Sequence, residues 1–371
     1  MGKFRFVYVL LLLLPALGCS PSADTDSADG EVGPRIDSLF AEFTVPGSPG
    51  ATAMVIRDGE VVHAGAYGLA ELASGQALSR GTPVRLGSVS KQFTSMGIMI
   101  LEERGELTFD QLITEWVPEL RRFPGVRVSH LLQHTSGLPD YYELPDEAFH
   151  EVAEKDGDPL LTNADAVTIY ESWGDPVFTP GEKYEYSNPG YEILGLIIER
   201  ISGQTFGTFL AENIFDPLGM ASAVVRDRPD VVIPGRAVGY SPDEDSGEWI
   251  ENDHHFGNWL VGAGGVYASL DDLFLWDQAL YTEDLVQKET LGEAFAPTIL
   301  NDGSVSDYGF GWNVGDRLGR RAVHHGGGWV GFRTSIIRFV DEGMTVIVLS
   351  NASAGAGELA DQVALAFLDL E

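Results

Sequence analysis

The sequence predicts an α/β protein of the α+β type, with an antiparallel sheet built from both chain ends, flanking helices, and a mainly helical lobe between them. Three observations carry this expectation. Near the start, Ala51 to Arg57 and Val61 to Tyr67 are strand-like runs either side of Asp58-Gly59, a dipeptide suited to a tight hairpin turn. Near the end, Phe332 to Val340 and Met344 to Ser350 flank Asp341-Glu342-Gly343 in the same manner. The middle carries helical patterns instead, among them Glu192 to Ile201 and Leu270 to Leu280.

Ile36 to Phe43 and Glu358 to Leu368 read as first and last helices, both packed on one face of the sheet. The sheet lobe is thus expected over about 35–87 and 299–371, and the helical lobe over about 88–298. No internal repeat interrupts the pattern. A ligand cleft is expected where the two lobes meet.

Residues 1–18 read as an export signal. Lys3 and Arg5 precede the apolar run Phe6 to Leu14, which is too short for a stable membrane span. Cys19, the sole cysteine, follows a small residue, so it is a candidate lipidation site that would anchor the mature chain to the cell envelope. Ala16 stands where such signals usually carry Leu, which leaves ordinary cleavage and release as the alternative. Residues 19–34, rich in Ser, Asp, Gly and Pro, read as a flexible tether. One cysteine forms no intramolecular disulfide. A net charge of −33 argues against nucleic acid or anionic lipid as a partner. Membrane contact is expected only through a lipid on Cys19, and oligomeric state is not indicated.

Chemistry is concentrated first at Leu86-Gly87-Ser88-Val89-Ser90-Lys91. Residues at i and i+3 share a helix face, so the Lys91 amine can lie against the Ser88 hydroxyl. A hydroxyl is a weak nucleophile until a base or a positive field assists it, and the free N–H groups of a helix start add to that field. Phe93, Met96, Ile98, Met99, Ile100 and Leu101 are apolar around nearly the whole helix, which predicts burial of Lys91 too. A buried lysine must be paired, hydrogen-bonded or neutral, and a neutral lysine is a usable base. The competing reading is a helix-capping serine followed by a surface lysine. Of the five lysines, Lys91 alone has a serine three positions before it.

Tyr186-Ser187-Asn188 is the only Tyr-x-Asn in the chain, and alone it would read as an aromatic under a Pro/Gly turn. His325-Gly326-Gly327-Gly328-Trp329 ends a short apolar run, offering a side chain together with bare backbone whose N–H groups can stabilise an oxyanion. Other basic-x-Gly triplets occur at His63, Lys155 and His255, and strand context with chain order selects His325.

Ser-x-x-Lys, Tyr-x-Asn and basic-x-Gly in this order resemble the serine β-lactamase and penicillin-binding protein superfamily, in its class C β-lactamase, D-peptidase and esterase branch. Further segments are similar to that family: Arg57-Asp58-Gly59, His134-Thr135-Ser136-Gly137-Leu138, Pro217-Leu218-Gly219-Met220, Gly264 to Ser269 with Asp271-Asp272-Leu273, and Val348 to Asn351. They span about residues 35 to 370 and imply a β-lactamase/transpeptidase-like fold.

The resemblance implies that Ser88 attacks an acyl carbonyl, that Lys91 and Tyr186 carry the protons, and that a covalent acyl-enzyme follows. It places the oxyanion between the N–H groups of Ser88 and Gly328. Asn188 would orient Lys91 or the substrate amide, and Gly327 would belong to the substrate-binding strand. Which of Lys91 and Tyr186 is the base stays open. His325 takes the place of a lysine in the Lys-Thr-Gly of true β-lactamases, and it is a cation only when protonated. An esterase or D-peptidase is therefore favoured over an efficient β-lactamase, with a small-molecule or peptide acyl substrate and no cofactor.

The other class of reading is a non-catalytic relative that binds peptidoglycan-like ligands in the same cleft. No Gly-x-Ser-x-Gly, His-Glu-x-x-His or phosphate-binding glycine loop occurs. His130 and His134 share a helical spacing suited to a metal, but no third ligand is evident and a structural pair is preferred. The segment Tyr141 to Trp173 is expected to wall the cleft, with Tyr141, Tyr142 and Trp329 as candidate contacts whose competing role is packing.

Overall fold

A computed structural model of the chain describes residues 29–145, 147–148, 152, 161–353 and 355–368. The export segment 1–18, Cys19 and the first part of the tether lie outside the described residues, as do most of 146–160 and the Tyr142 side chain.

The main sheet has six strands: β1 (Ala51–Arg57), β2 (Glu60–Tyr67), β3 (Asn313–Arg317), β4 (Arg320–Trp329), β5 (Phe332–Phe339) and β6 (Met344–Ser350). Their order is β3-β4-β5-β6-β1-β2, with each neighbouring pair antiparallel. The two chain ends meet where β1 pairs β6, Ala51 opposite Ser350 and Arg57 opposite Met344. Asp58 and Gly59 both adopt positive φ, 50° and 82°, as a two-residue hairpin turn with right-handed strands requires.

Both faces of the central strands are covered, which is why these strands read as continuous apolar runs. Successive side chains point to opposite faces. Ala51, Ala53 and Val55 join a cluster with Val346, Val348 and the terminal helices α1 (Asp29–Leu39) and α6 (Ala356–Leu368). Met54, Ile56, Ile336 and Ile347 instead join the larger core of the helical lobe. That lobe is organised by α2 (Lys91–Glu103), α3 (Asn163–Ser172), α4 (Asn188–Ser202) and α5 (Leu270–Ala279).

Two element boundaries differ from expectation. The first helix starts at Asp29, inside the segment read as tether, and gives way to a 3-10 turn over Ala41–Thr44. The glycines and proline of 29–34 are poor helix formers, so the sequence signal there was weak. The helix expected from Glu192 begins four residues earlier, at Asn188, with Pro189 in its first turn, where a missing N–H costs nothing. That shift places Asn188 at the mouth of the helix and Glu192 one turn inside it.

Asn351, just past β6, joins the lobes. Its Oδ1 accepts from Gly50 N at 2.8 Å, and the two hydrogens on its Nδ2 serve Val238 O at 2.8 Å and, shared between them, the carbonyls of Leu69 and Ala70 at 3.1 Å each.

Candidate active site

Ser88 lies in a 3-10 turn, Gly87–Ser90, that runs directly into α2. The turn is pinned from below, since Leu86 N donates to Val266 O at 2.9 Å and Val266 N donates to Ser90 Oγ at 3.1 Å. Every residue of α2 from Lys91 to Leu101 is buried, as the all-round apolar pattern predicts. Lys91 is completely buried, which removes the surface-lysine reading.

The ammonium has three protons, and each has an acceptor. Lys91 Nζ donates to Ser88 Oγ at 3.1 Å, to Asn188 Oδ1 at 2.9 Å and to Ala263 O at 3.1 Å. It also lies over the Tyr186 and Tyr191 rings, 4.8 and 5.5 Å from their centroids. Burial pulls its pKa down to about 7, partly opposed by the negative charges of Glu192 and Asp140. Burial thus favours the neutral amine relative to an exposed lysine. The Tyr186 phenol lies close enough to Ser88 for the hydroxyl to act on its acidity, yet burial dominates and drives the phenol well above the ordinary range. It remains a protonated donor in the resting site.

Asn188 is oriented by a residue that sequence reasoning did not single out. Asp140 Oδ2 accepts from the Asn188 backbone N–H at 2.9 Å and from its Nδ2 at 3.2 Å, which turns Oδ1 towards Lys91. His134 plays the structural part preferred for it. It adopts φ 55°, in the left-handed region, and its Nδ1 accepts from Ser187 N at 3.1 Å. Its ring packs among those of Tyr186, Tyr191 and Tyr308 at 4.2, 5.1 and 4.6 Å. His130 faces elsewhere, its Nδ1 accepting from Arg127 N at 3.1 Å. The two histidines are structural and serve separate elements.

The glycines of β4 allow the strand to close on the Ser88 turn. Gly87 has φ 54°, and a Cβ there would stand 2.8 Å from Gly328 N. The backbone of Gly328 thus borders the Gly87–Ser90 turn. Gly327 points the other way. A Cβ on it would lie 1.9 Å from Leu86 O and 2.2 Å from Thr334 Oγ1. Its direct contribution is close packing beneath the site rather than the substrate contact expected of it.

His325 also departs from expectation. It is buried, with Nδ1 2.6 Å from Gly326 O and Nε2 3.0 Å from Tyr308 Oη. A carbonyl only accepts, so Nδ1 carries the proton and Nε2 accepts from the tyrosine. Burial first, then the nearby Lys91 charge, lowers its pKa to about 3. His325 is a neutral prop for Tyr308, where a substrate-facing cation was the alternative.

Of the candidate wall residues, Tyr141 packs against Tyr170, ring centroids 6.2 Å apart, with its hydroxyl buried. Trp329 remains half-buried beside the glycines, held by Nε1 donation to Asn258 Oδ1 at 2.8 Å and by the Arg85 guanidinium 4.6 Å from its ring centre.

A serine turn beside the glycines of β4, with a buried amine on the hydroxyl and a phenol nearby, is an arrangement that can support acyl transfer through a serine. The comparisons with known proteins agree: the family model described as Beta-lactamase matches residues 36–370, and the chain belongs to that family, within the β-lactamase and penicillin-binding protein superfamily of serine hydrolases. It is 36% identical over 330 residues to the Penicillin-binding protein 4* of Bacillus subtilis strain 168, covering 85% of this chain and 71% of that one. It is 30% identical over 312 residues to a D-aminopeptidase of Brucella anthropi, covering 84% of this chain but only 58% of the relative. Among solved structures, the octameric penicillin-binding protein homologue from Pyrococcus abyssi is similar with a TM-score of 0.76 and 28% identity, over 93% of this chain and 78% of that one.

Proposed function

We propose that the protein is an exported hydrolase of small esters and amides, including short D-amino-acid peptides, acting through a Ser88 acyl-enzyme. The observation that carries this reading is the position of Lys91 Nζ, fully buried and 3.1 Å from Ser88 Oγ. Neutral Lys91 takes the proton as Ser88 attacks the acyl carbon, the phenol of Tyr186 hands its proton to the departing alkoxide or amine, and Lys91 returns a proton to the Tyr186 oxygen. The N–H groups of Ser88 and Gly328 hold the negative oxygen of each tetrahedral intermediate. Water then enters along the same path, the pair takes its proton and passes it to Ser88 Oγ as the Oγ–acyl bond breaks, and the acyl group leaves as the acid. Lys91 is assigned as the base because burial favours its neutral form, whereas the same burial opposes a tyrosinate. The rate of acylation accordingly rises with pH through about 7 and levels off above it.

The substrate class follows from His325. A neutral histidine, engaged at both nitrogens, offers no cation to a substrate carboxylate. The D-aminopeptidase among the relatives supports an amide or peptide substrate of D configuration. The test is a panel of an aryl ester, a D-amino-acid amide, a D-Ala-D-Ala peptide and a chromogenic cephalosporin. The ester and the D-amino-acid amide are expected to be turned over at least about tenfold more efficiently than the carboxylate-bearing cephalosporin, one missing ion contact being worth that much or more. A cephalosporin turned over best would overturn the substrate assignment.

Residues 1–18 direct export and Cys19 carries the lipid that holds the enzyme at the cell envelope; the basic, apolar and small-residue order of the segment supports this. The expressed full-length chain should sediment with membranes, and Cys19→Ala should move activity to the soluble fraction. Equal distribution of both forms would instead mean cleavage and release.

A further inference from the structure

One buried carboxylate stands behind the catalytic lysine without a part in the steps above. Glu192 is 2% exposed and sits four residues after Asn188 on α4, so the two share a helix face. Asn188 holds Lys91 directly. Glu192 reaches it through the backbone: its Oε2 accepts from Gly262 N at 2.7 Å, and the carbonyl of the next residue, Ala263, accepts from Lys91 Nζ at 3.1 Å.

This turn is clamped from both sides. Thr94, three residues after Lys91 on α2, donates to Gly262 O at 2.6 Å, and Asn163 Oδ1 accepts from Val261 N at 3.1 Å. On the α4 side the approach is so close that a Cβ on Gly262 would stand 2.2 Å from Tyr191 O and 2.9 Å from Glu192 Cα. A hydrophobic side chain at 192 would satisfy such a helix better than a buried acid, unless the acid has a task.

We propose that Glu192 is a positioning residue for acyl transfer: it fixes the Gly262–Ala263 turn that holds Lys91, and its buried charge governs how readily Lys91 keeps a proton. This rests on the Ser88 and Lys91 reading above. The charges facing the pair are few. Lys91 is also met by Asp140 and by the neutral rings of His134, His325, Tyr186 and Tyr191. Glu192 is also met by Arg85, Tyr141 and Tyr170. Burial raises the Glu192 carboxyl, opposed by the Lys91 charge, and lowers Lys91, opposed by the Glu192 charge. Two groups that interact so strongly titrate as a pair.

Glu192→Gln keeps an oxygen for Gly262 N–H and removes the charge. Lys91 then loses a partner that favours its protonated form, so the acid limb of kcat/KM for an aryl ester is expected to move about one pH unit or more towards acid. Glu192→Asp, which keeps the charge, should leave the limb within about a few tenths of a unit. A Glu192→Gln enzyme slowed equally at every pH, with its limb unmoved, would make Glu192 a simple brace and overturn the proposal. Should the variant fail to fold, wild-type protein labelled with ¹³C at lysine Cε and glutamate Cδ supplies the answer. One of the five lysines should titrate near neutrality together with one glutamate carboxyl. A lysine that titrates there while every glutamate carboxyl stays unchanged overturns the proposal equally. The spectra need no turnover, so absence of hydrolase activity in the wild type would show separately, in the ester assay alone.

Discussion

Ser88→Ala is expected to lower aryl-ester hydrolysis by about 10⁴- to 10⁶-fold, the scale seen when a nucleophile that works with a partnered base is removed. Purified variant and wild type compared by initial rates, with melting temperature as the control for folding, check this. The fold should survive, because Ser88 is only half-buried and contributes one of three acceptors to Lys91. Residual activity within about tenfold of wild type would mean that another group performs the attack.

Lys91→Ala carries the second large effect, a loss of about 10²- to 10⁴-fold in kcat/KM, the usual worth of a positioned general base. Lys91→Arg is the sharper test. A guanidinium keeps the positive charge but cannot give up a proton, so arginine should not restore activity if proton abstraction is the role of Lys91. Recovery by arginine would assign Lys91 to electrostatic support and transfer the base role to Tyr186. Both variants are compared with wild type in the same pH–rate assay.

Much of this site could be read before any coordinates. Ser88 and Lys91 declare themselves by a spacing of three on a helix that is apolar all round, since both facts are local. The sheet is legible for a similar reason: Asp58-Gly59 sets a turn, and β1 and β6 announce burial on both faces by unbroken apolar runs. What stayed hidden depends on contacts between distant segments. Asp140 aligns Asn188 from 48 residues away, and the carbonyl of Ala263 meets Lys91 across 172. A backbone oxygen has no sequence signature.

The misread residues share a cause. His325 was expected to face substrate because of its place before the glycines, yet its ring is used by Tyr308 and by its own neighbour's carbonyl. Gly327 and Gly328 look equivalent as letters, and strand alternation sends one into Leu86 and Thr334 while leaving the other exposed. His134 keeps the structural role expected of it, but its positive φ turns it out of the helical series shared with His130 and packs it against Tyr186. In each case the identity of the residue was informative and its direction was not.

The central claim is a covalent bond from an acyl group to Ser88 Oγ. Wild-type protein mixed with an activated aryl ester, quenched in acid within the first turnovers and mapped by mass spectrometry, tests it most directly. The account predicts one acyl group per chain, carried by the peptide that contains Ser88 and absent from Ser88→Ala. Turnover that proceeds with no acyl group on that peptide, or with the group on a different residue, would contradict it.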